Sequence, residues 1–374
     1  MSCDYIALAN AGVQALSPYQ AGKPIEELQR ELGLKNIVKL ASNENPLGPS
    51  ELAVAACRKA AGGIYLYPDS SGFELKKKLA EKYSVTPAQI TLGNGSNDVL
   101  DLIARAFLEP GKSAVFSAHA FVVYPIAVQA CGARAIVTPA KAWGHDLDAM
   151  LAAIEDDTRV IFIANPNNPT GTWVDKTSLE HFLGAVPEDV IVVLDEAYTE
   201  YVTEAEFPNG LDYLERYPNV VVTRTFSKAY GLAGLRVGYS ISSPAVCDLL
   251  NRVRAPFNVS TVALAAAEAS LNDEAYLQES RRVNAAGLKQ LGAGLDTLGL
   301  EWIPSVGNFI AFKVPADAAQ VYQGLLRAGV IVRPVGVYAM PGFLRVSVGL
   351  ESENRRFLEA LPPVLDALAS GAPE

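Results

Sequence analysis

The run VIVVLDEAY, residues 190–198, is five unbroken apolar residues, mostly β-branched, stopping abruptly at two carboxylates and a tyrosine. An unbroken run of this kind predicts a strand buried on both faces. Outward from it the same texture repeats, at Gln89–Leu92, Ser113–Phe116, Ala135–Thr138, Val160–Ile163, Val220–Thr223 and Val237–Ile241. Helix-like patterns alternate with these strands, at Gly72–Tyr83, Ser96–Phe107, Asp146–Ile154 and Ser178–Leu183. The alternation predicts an α/β fold built on a mostly parallel sheet. Such sheets bind ligands at the carboxyl ends of their strands, so function is expected just after each run.

The chain has 374 residues and a formal net charge of −10, from 31 basic and 41 acidic side chains. An acidic chain is a poor match for nucleic acid or an anionic membrane surface. No uncharged apolar run approaches the roughly 18 residues that a membrane span needs. Met1 to Asn10 lacks a basic leader with an apolar core, so no signal peptide is expected and the predicted location is the cytoplasm. Cys3, Cys57, Cys131 and Cys247 are widely spaced, which predicts reduced, buried thiols rather than disulfides or a zinc site. His119, His145 and His181 are equally scattered, and no metal site is expected.

Four clusters follow the predicted strands. Gly93-Asn94-Gly95-Ser96-Asn97-Asp98 opens a helix and offers free N–H groups to an anion, although the same sequence also makes ordinary loops. It lacks the G-K-[ST] of a P-loop and the third glycine of the dinucleotide fingerprint. The others are Asn165–Gly171, Asp195–Tyr198 and Thr225–Gly231, with Gly234–Tyr239 close behind. Alone, Asp195 reads as a helix cap and Lys228 as a surface lysine. Together they supply a desolvated amine for an aldehyde, a carboxylate for a pyridine nitrogen and an anion nest. Those are the parts that hold pyridoxal phosphate.

Asn165–Gly171, Asp195–Tyr198, Ser227–Arg236 and Gly342–Gly349 resemble the fold-type I pyridoxal-phosphate aminotransferases. Ser42–Gly48 and Tyr67-Pro68 further resemble the histidinol-phosphate aminotransferase branch, and the likeness runs from about Ser17 to Leu350. The resemblance implies roles by position. Lys228 would bond to the cofactor aldehyde and shuttle the proton, and Asp195 would pair with the ring nitrogen. Tyr198 and Asn168 would bind the ring's phenolic oxygen. Ser96, Asn97, Ser227 and Arg236 would hold the phosphate, with Gly95 permitting close backbone approach and Thr225 adding a hydroxyl. Phe121 would stack on the ring, and Tyr67 would reach the phosphate of a neighbouring subunit, which implies a homodimer. Arg345 and Arg333 would bind the substrate's anionic groups, with Tyr19 and Asn43 covering the pocket. Two departures from the family pattern stand out, Asn97-Asp98 in place of an acidic pair and His119-Ala120 before Phe121.

The implied organisation is an N-terminal arm, residues 1–36, joining a small domain; a large cofactor domain, 37–254; and a small α+β domain, 255–374. A helix is expected at Pro24–Leu32 in the arm and a long helical stretch over Thr261–Leu298, followed by Asn308–Val314, Ala316–Ala328, Val330–Arg333 and Phe343–Val348; the last residues, Ser370–Glu374, are expected to fray. The implied reaction is transamination of L-histidinol phosphate with 2-oxoglutarate, an amino donor and a 2-oxo acid. Two alternatives share the motifs: an aromatic or broad-specificity aminotransferase, and a lyase resembling threonine-phosphate decarboxylase.

Overall fold

In a computed structural model that describes residues 3–18 and 22–370, seven strands form one sheet. Their order is Ile90–Gly93, Gly238–Ser242, Val220–Thr225, Ile191–Asp195, Thr158–Ala164, Ser113–Ser117 and Arg134–Thr138. The five strands from Val220–Thr225 to Arg134–Thr138 run parallel, whereas Gly238–Ser242 is antiparallel to both of its neighbours. The apolar runs account for this arrangement. Every residue of Ile191–Asp195 and Val220–Thr225 is buried, because one apolar layer packs on each face of the sheet. The outermost strand, Arg134–Thr138, is largely exposed, as an edge strand can be.

A second, four-stranded antiparallel sheet has the order Trp302–Ile303, Phe309–Lys313, Phe343–Ser347, Arg333–Pro334. Its core joins Ile310, Phe312 and Val346 to Leu291, Leu325 and Phe357 from the helices Glu274–Thr297, Ala318–Arg327 and Glu351–Ala369. Two N-terminal segments, residues 25–32 and 38–39, complete this unit. Val38–Lys39 pairs in parallel with Val330–Ile331, and the helix Ile25–Leu32 buries Leu28 against Leu326 and Ile331. Residues 40–48 then cross to the carboxyl edge of the large sheet.

Two expectations need correction. The stretch Thr261–Leu298 is two helices, Thr261–Ser270 and Glu274–Thr297, because Asp273 turns its carboxylate back to cap the second through Tyr276 N. Only Cys247 is fully buried. Cys57 and Cys131 are partly covered on helix surfaces, and Cys3 is exposed in an N-terminal segment that has no core. The predicted cover residue Tyr19 lies outside the described residues, as do residues 371–374 of the tail. No helix among the described residues is long and apolar enough to cross a membrane.

Candidate active site

The turns after the central strands surround one cavity. Gly95 has φ 81° and precedes the helix Ser96–Phe107, so a side chain there would be strained and would also run into the Arg236 guanidinium. Arg236 donates from one guanidinium nitrogen to Ser227 Oγ at 3.3 Å and to the Ala233 carbonyl at 3.0 Å. A helix N-terminus, a hydroxyl and a guanidinium thus converge, the donor set that a phosphate dianion needs. Asn97 lines the same end. Its neighbour Asp98 turns away, accepting from Asn94 N at 2.7 Å and from Asn258 Nδ2 at 2.8 Å. Phe121 and Thr225 also line this end.

Of the two carboxylates ending VIVVLDEAY, only Asp195 faces the cavity. Glu196 is taken up by a buried ion pair with Arg224, Oε2 to Nε at 2.9 Å. Asp195 accepts from Tyr124 Oη at 2.8 Å and Thr223 Oγ1 at 3.0 Å. Burial pushes its carboxyl pKa up, and these two donors oppose the shift. Tyr124 is a supporting residue with no local signal in the sequence. It is stacked on Phe162 from a helix on the sheet's other layer, at 4.7 Å between ring centroids.

Lys228 Nζ donates to the Ser42 carbonyl at 3.0 Å and stands 5.7 Å from the centre of the Tyr198 ring. Burial, reinforced by the nearby Arg345 and Arg236 charges, lowers its pKa to about 7. Much of the amine is therefore neutral near pH 7 and able to attack a carbonyl. Tyr198 Oη accepts from Asn43 Nδ2 at 2.9 Å, and burial raises its pKa to about 12, leaving the phenol protonated and able to donate.

Opposite Lys228 stand two arginines. Arg333 and Arg345 are register partners on neighbouring antiparallel strands, so their side chains share one face. Both line the cavity. Arg345 donates to Asn168 Oδ1 and, at 2.9 Å, to the Ala41 carbonyl, and it lies over the Phe309 ring. Asn43 is fixed by Ser347, whose Oγ lies 2.8 Å from the Asn43 amide nitrogen and 2.9 Å from its Oδ1. Among the predicted site residues, Tyr67 is not brought to the cavity. It is 82% exposed and stacks on Phe257 at 4.6 Å. Tyr338 lines the cavity and was missed, because nothing local distinguishes it within the link between the two arginine strands.

The donor set suits a phosphorylated pyridine aldehyde: an anion nest at one end, a carboxylate held by donors, and a depressed-pKa lysine between. Comparisons with known proteins agree. A family model described as "Aminotransferase class I and II" matches residues 35–361. The chain is 64% identical over 364 residues to histidinol-phosphate aminotransferase 2 of Pseudomonas aeruginosa, covering 97% of this chain and 99% of that protein. It is 63% identical to the protein of the same name from Pseudomonas fluorescens, over 98% of this chain and 99% of the relative. A crystal structure of histidinol-phosphate aminotransferase from Sinorhizobium meliloti, in complex with pyridoxal 5′-phosphate, superposes with a TM-score of 0.89. It is 33% identical, and 96% of this chain and 97% of that one are covered.

Proposed function

The chain belongs to the class I and II aminotransferases, in the fold-type I arrangement, and we propose that it transfers the amino group of L-histidinol phosphate to 2-oxoglutarate. The products are imidazole-acetol phosphate and glutamate, a step of histidine biosynthesis. The observation that carries the substrate assignment is the register pairing of Arg333 with Arg345 at the cavity that holds Lys228. Like charges directly opposite on neighbouring strands repel, and a phosphate or carboxylate between them relieves the repulsion. Both the phosphate ester of the donor and the second carboxylate of glutamate fit that requirement.

Pyridoxal 5′-phosphate, when bound, supplies the electron sink that makes the substrate Cα–H acidic. Ser96, Asn97, Ser227, Arg236 and Thr225 hold its phosphate, with Gly95 giving backbone access. Asp195 keeps the ring nitrogen protonated, Tyr198 and Asn168 bind the phenolic oxygen, and Phe121 covers the ring. Lys228, neutral as a base, would accept and move the substrate Cα proton. Asn43 covers the substrate. The reaction is ping-pong, donor first and oxo acid second.

A spectroscopic panel tests the substrate. L-histidinol phosphate should shift the cofactor's visible absorbance at saturation, and an unchanged spectrum would refute the assignment. Arg333→Ala should lower kcat/KM for histidinol phosphate about 100-fold, the worth of a charge-assisted contact, while phenylalanine turnover changes less than about threefold. Equal loss on both donors would favour an aromatic aminotransferase, and carbon dioxide release from threonine phosphate would favour the lyase.

The enzyme is a cytoplasmic homodimer in this reading. Ile64, Tyr65, Leu66 and Tyr67 are all more than half exposed beside Phe257, a patch of the kind that marks an interface. Tyr67 reaches the partner's cofactor phosphate. Sedimentation should give twice the chain mass. Tyr67→Phe should keep the dimer and weaken cofactor binding about tenfold; a monomer, or unchanged cofactor affinity, would contradict this arrangement. The small domain of this reading takes in residues 1–36 as well as 255–374, with 37–254 forming the large one.

A further inference from the structure

The link between the two arginine strands is pinned by His119. His119 lies in the loop after Ser113–Ser117, two residues before Phe121, with its backbone at φ 59°. Its Nδ1 is 2.7 Å from the Tyr338 carbonyl oxygen. A carbonyl oxygen only accepts, so Nδ1 carries the hydrogen. Tyr338 ends the single helical turn Gly336–Tyr338, between the strands Arg333–Pro334 and Phe343–Ser347, and is followed by Ala339 at φ 56°. The Tyr338 side chain is buried and lines the cavity with Arg333 and Arg345.

Apolar packing shields the contact. The His119 ring lies 5.2 Å from Trp143, whose ring is 4.9 Å from Phe343, and Met340 and Val335 close the cluster. His119 is also held by its own backbone, since its carbonyl accepts from Asn167 Nδ2 at 3.1 Å. One residue thus ties three pieces together: the segment carrying Phe121, the Asn165–Gly171 turn and the turn carrying Tyr338. Glycine would meet the left-handed backbone of position 119 with least strain. What the imidazole adds is a donor aimed at Tyr338.

We propose that His119 is a positioning residue. Through the Tyr338 carbonyl it fixes the turn between the arginine strands, and the Tyr338 hydroxyl joins Arg333 and Arg345 in recognising the anionic end of the substrate. This rests on the aminotransferase reading, in which both substrates are anions.

Two substitutions in the holoenzyme separate donor from backbone. His119→Gly keeps the left-handed backbone and removes the donor, whereas His119→Asn keeps an N–H and tolerates that backbone. The probes are KM for glutamate and the calorimetric Kd of succinate, a dicarboxylate that cannot react. In His119→Gly both should rise about tenfold, with kcat within about threefold of wild type. His119→Asn should stay within about threefold on every measure, and Tyr338→Phe should match the Kd of His119→Gly. The proposal is overturned if His119→Gly binds succinate as wild type does, if His119→Asn is equally weakened, or if only kcat falls. Should His119→Gly not fold, Tyr338→Phe decides alone, and an unchanged succinate Kd overturns the proposal. Succinate and glutamate report on the anion site whatever the donor. A wild type that binds succinate but ignores histidinol phosphate refutes the substrate and leaves this test intact.

Discussion

Lys228→Ala is expected to lower kcat at least about 10³-fold while the protein stays folded and keeps its phosphate nest. The expected loss is large because in the proposed mechanism one amine has two tasks, bonding to the cofactor aldehyde and moving the Cα proton. No neighbour can substitute. The phenol of Tyr198 is held near pKa 12, and the Asp195 carboxylate is occupied by Tyr124 and Thr223. Retained turnover would disprove the central assignment. A second readout, the stability of the cofactor-free protein, follows from the lysine's environment. Its folded-state pKa falls from 10.5 to about 7, so between those values the unfolded chain binds more protons than the folded one. The wild-type lysine therefore destabilises the cofactor-free fold fully below about pH 7 and ceases to do so above about 10.5. Lys228→Met should raise the thermal midpoint of the cofactor-free protein at pH 6 and lose that advantage at high pH. Denaturation scans across that range check the sign.

Asp195→Asn should cost roughly 10²–10³-fold in kcat, with the fold intact and the cofactor still bound. The amide preserves shape but carries no negative charge, so a cationic ring nitrogen loses its counter-ion in a buried site. The environment is set up to keep the carboxylate charged despite burial, by two hydroxyl donors aimed at its separate oxygens. Single-turnover rates of Cα proton loss, with deuterated donor, should show the defect in that step. A variant with normal proton-transfer rates would remove Asp195 from its proposed role.

Much of this was readable in advance where the signal is local. VIVVLDEAY announced a buried strand because both faces of a central parallel strand are covered, and Asp195 followed as its last residue. The phosphate turn was equally legible from Gly95 and the helix behind it. Long-range pairings were not. Tyr124 reaches Asp195 from 71 positions away, and nothing in its own neighbourhood marks it as a carboxylate's partner. The helix Glu351–Ala369 was missed because Pro362 and Pro363 lie inside it. The break at Asp273 was hidden in an alanine-rich helical run, yet aspartate is a good cap, and that signal was available.

Because Ser347 holds Asn43 across 304 positions of sequence, the substrate side of the site has an order of assembly built into it. On a ribosome adding roughly 5–20 residues per second, residues 38–48 wait on the order of 15–60 s for their partners at 330–347. The central strands and the phosphate turn lie within the first two-thirds of the chain and can form earlier. A nascent chain can therefore shape its anion nest while the arginine pair is still unmade, and substrate recognition is the last part of this protein to come into existence.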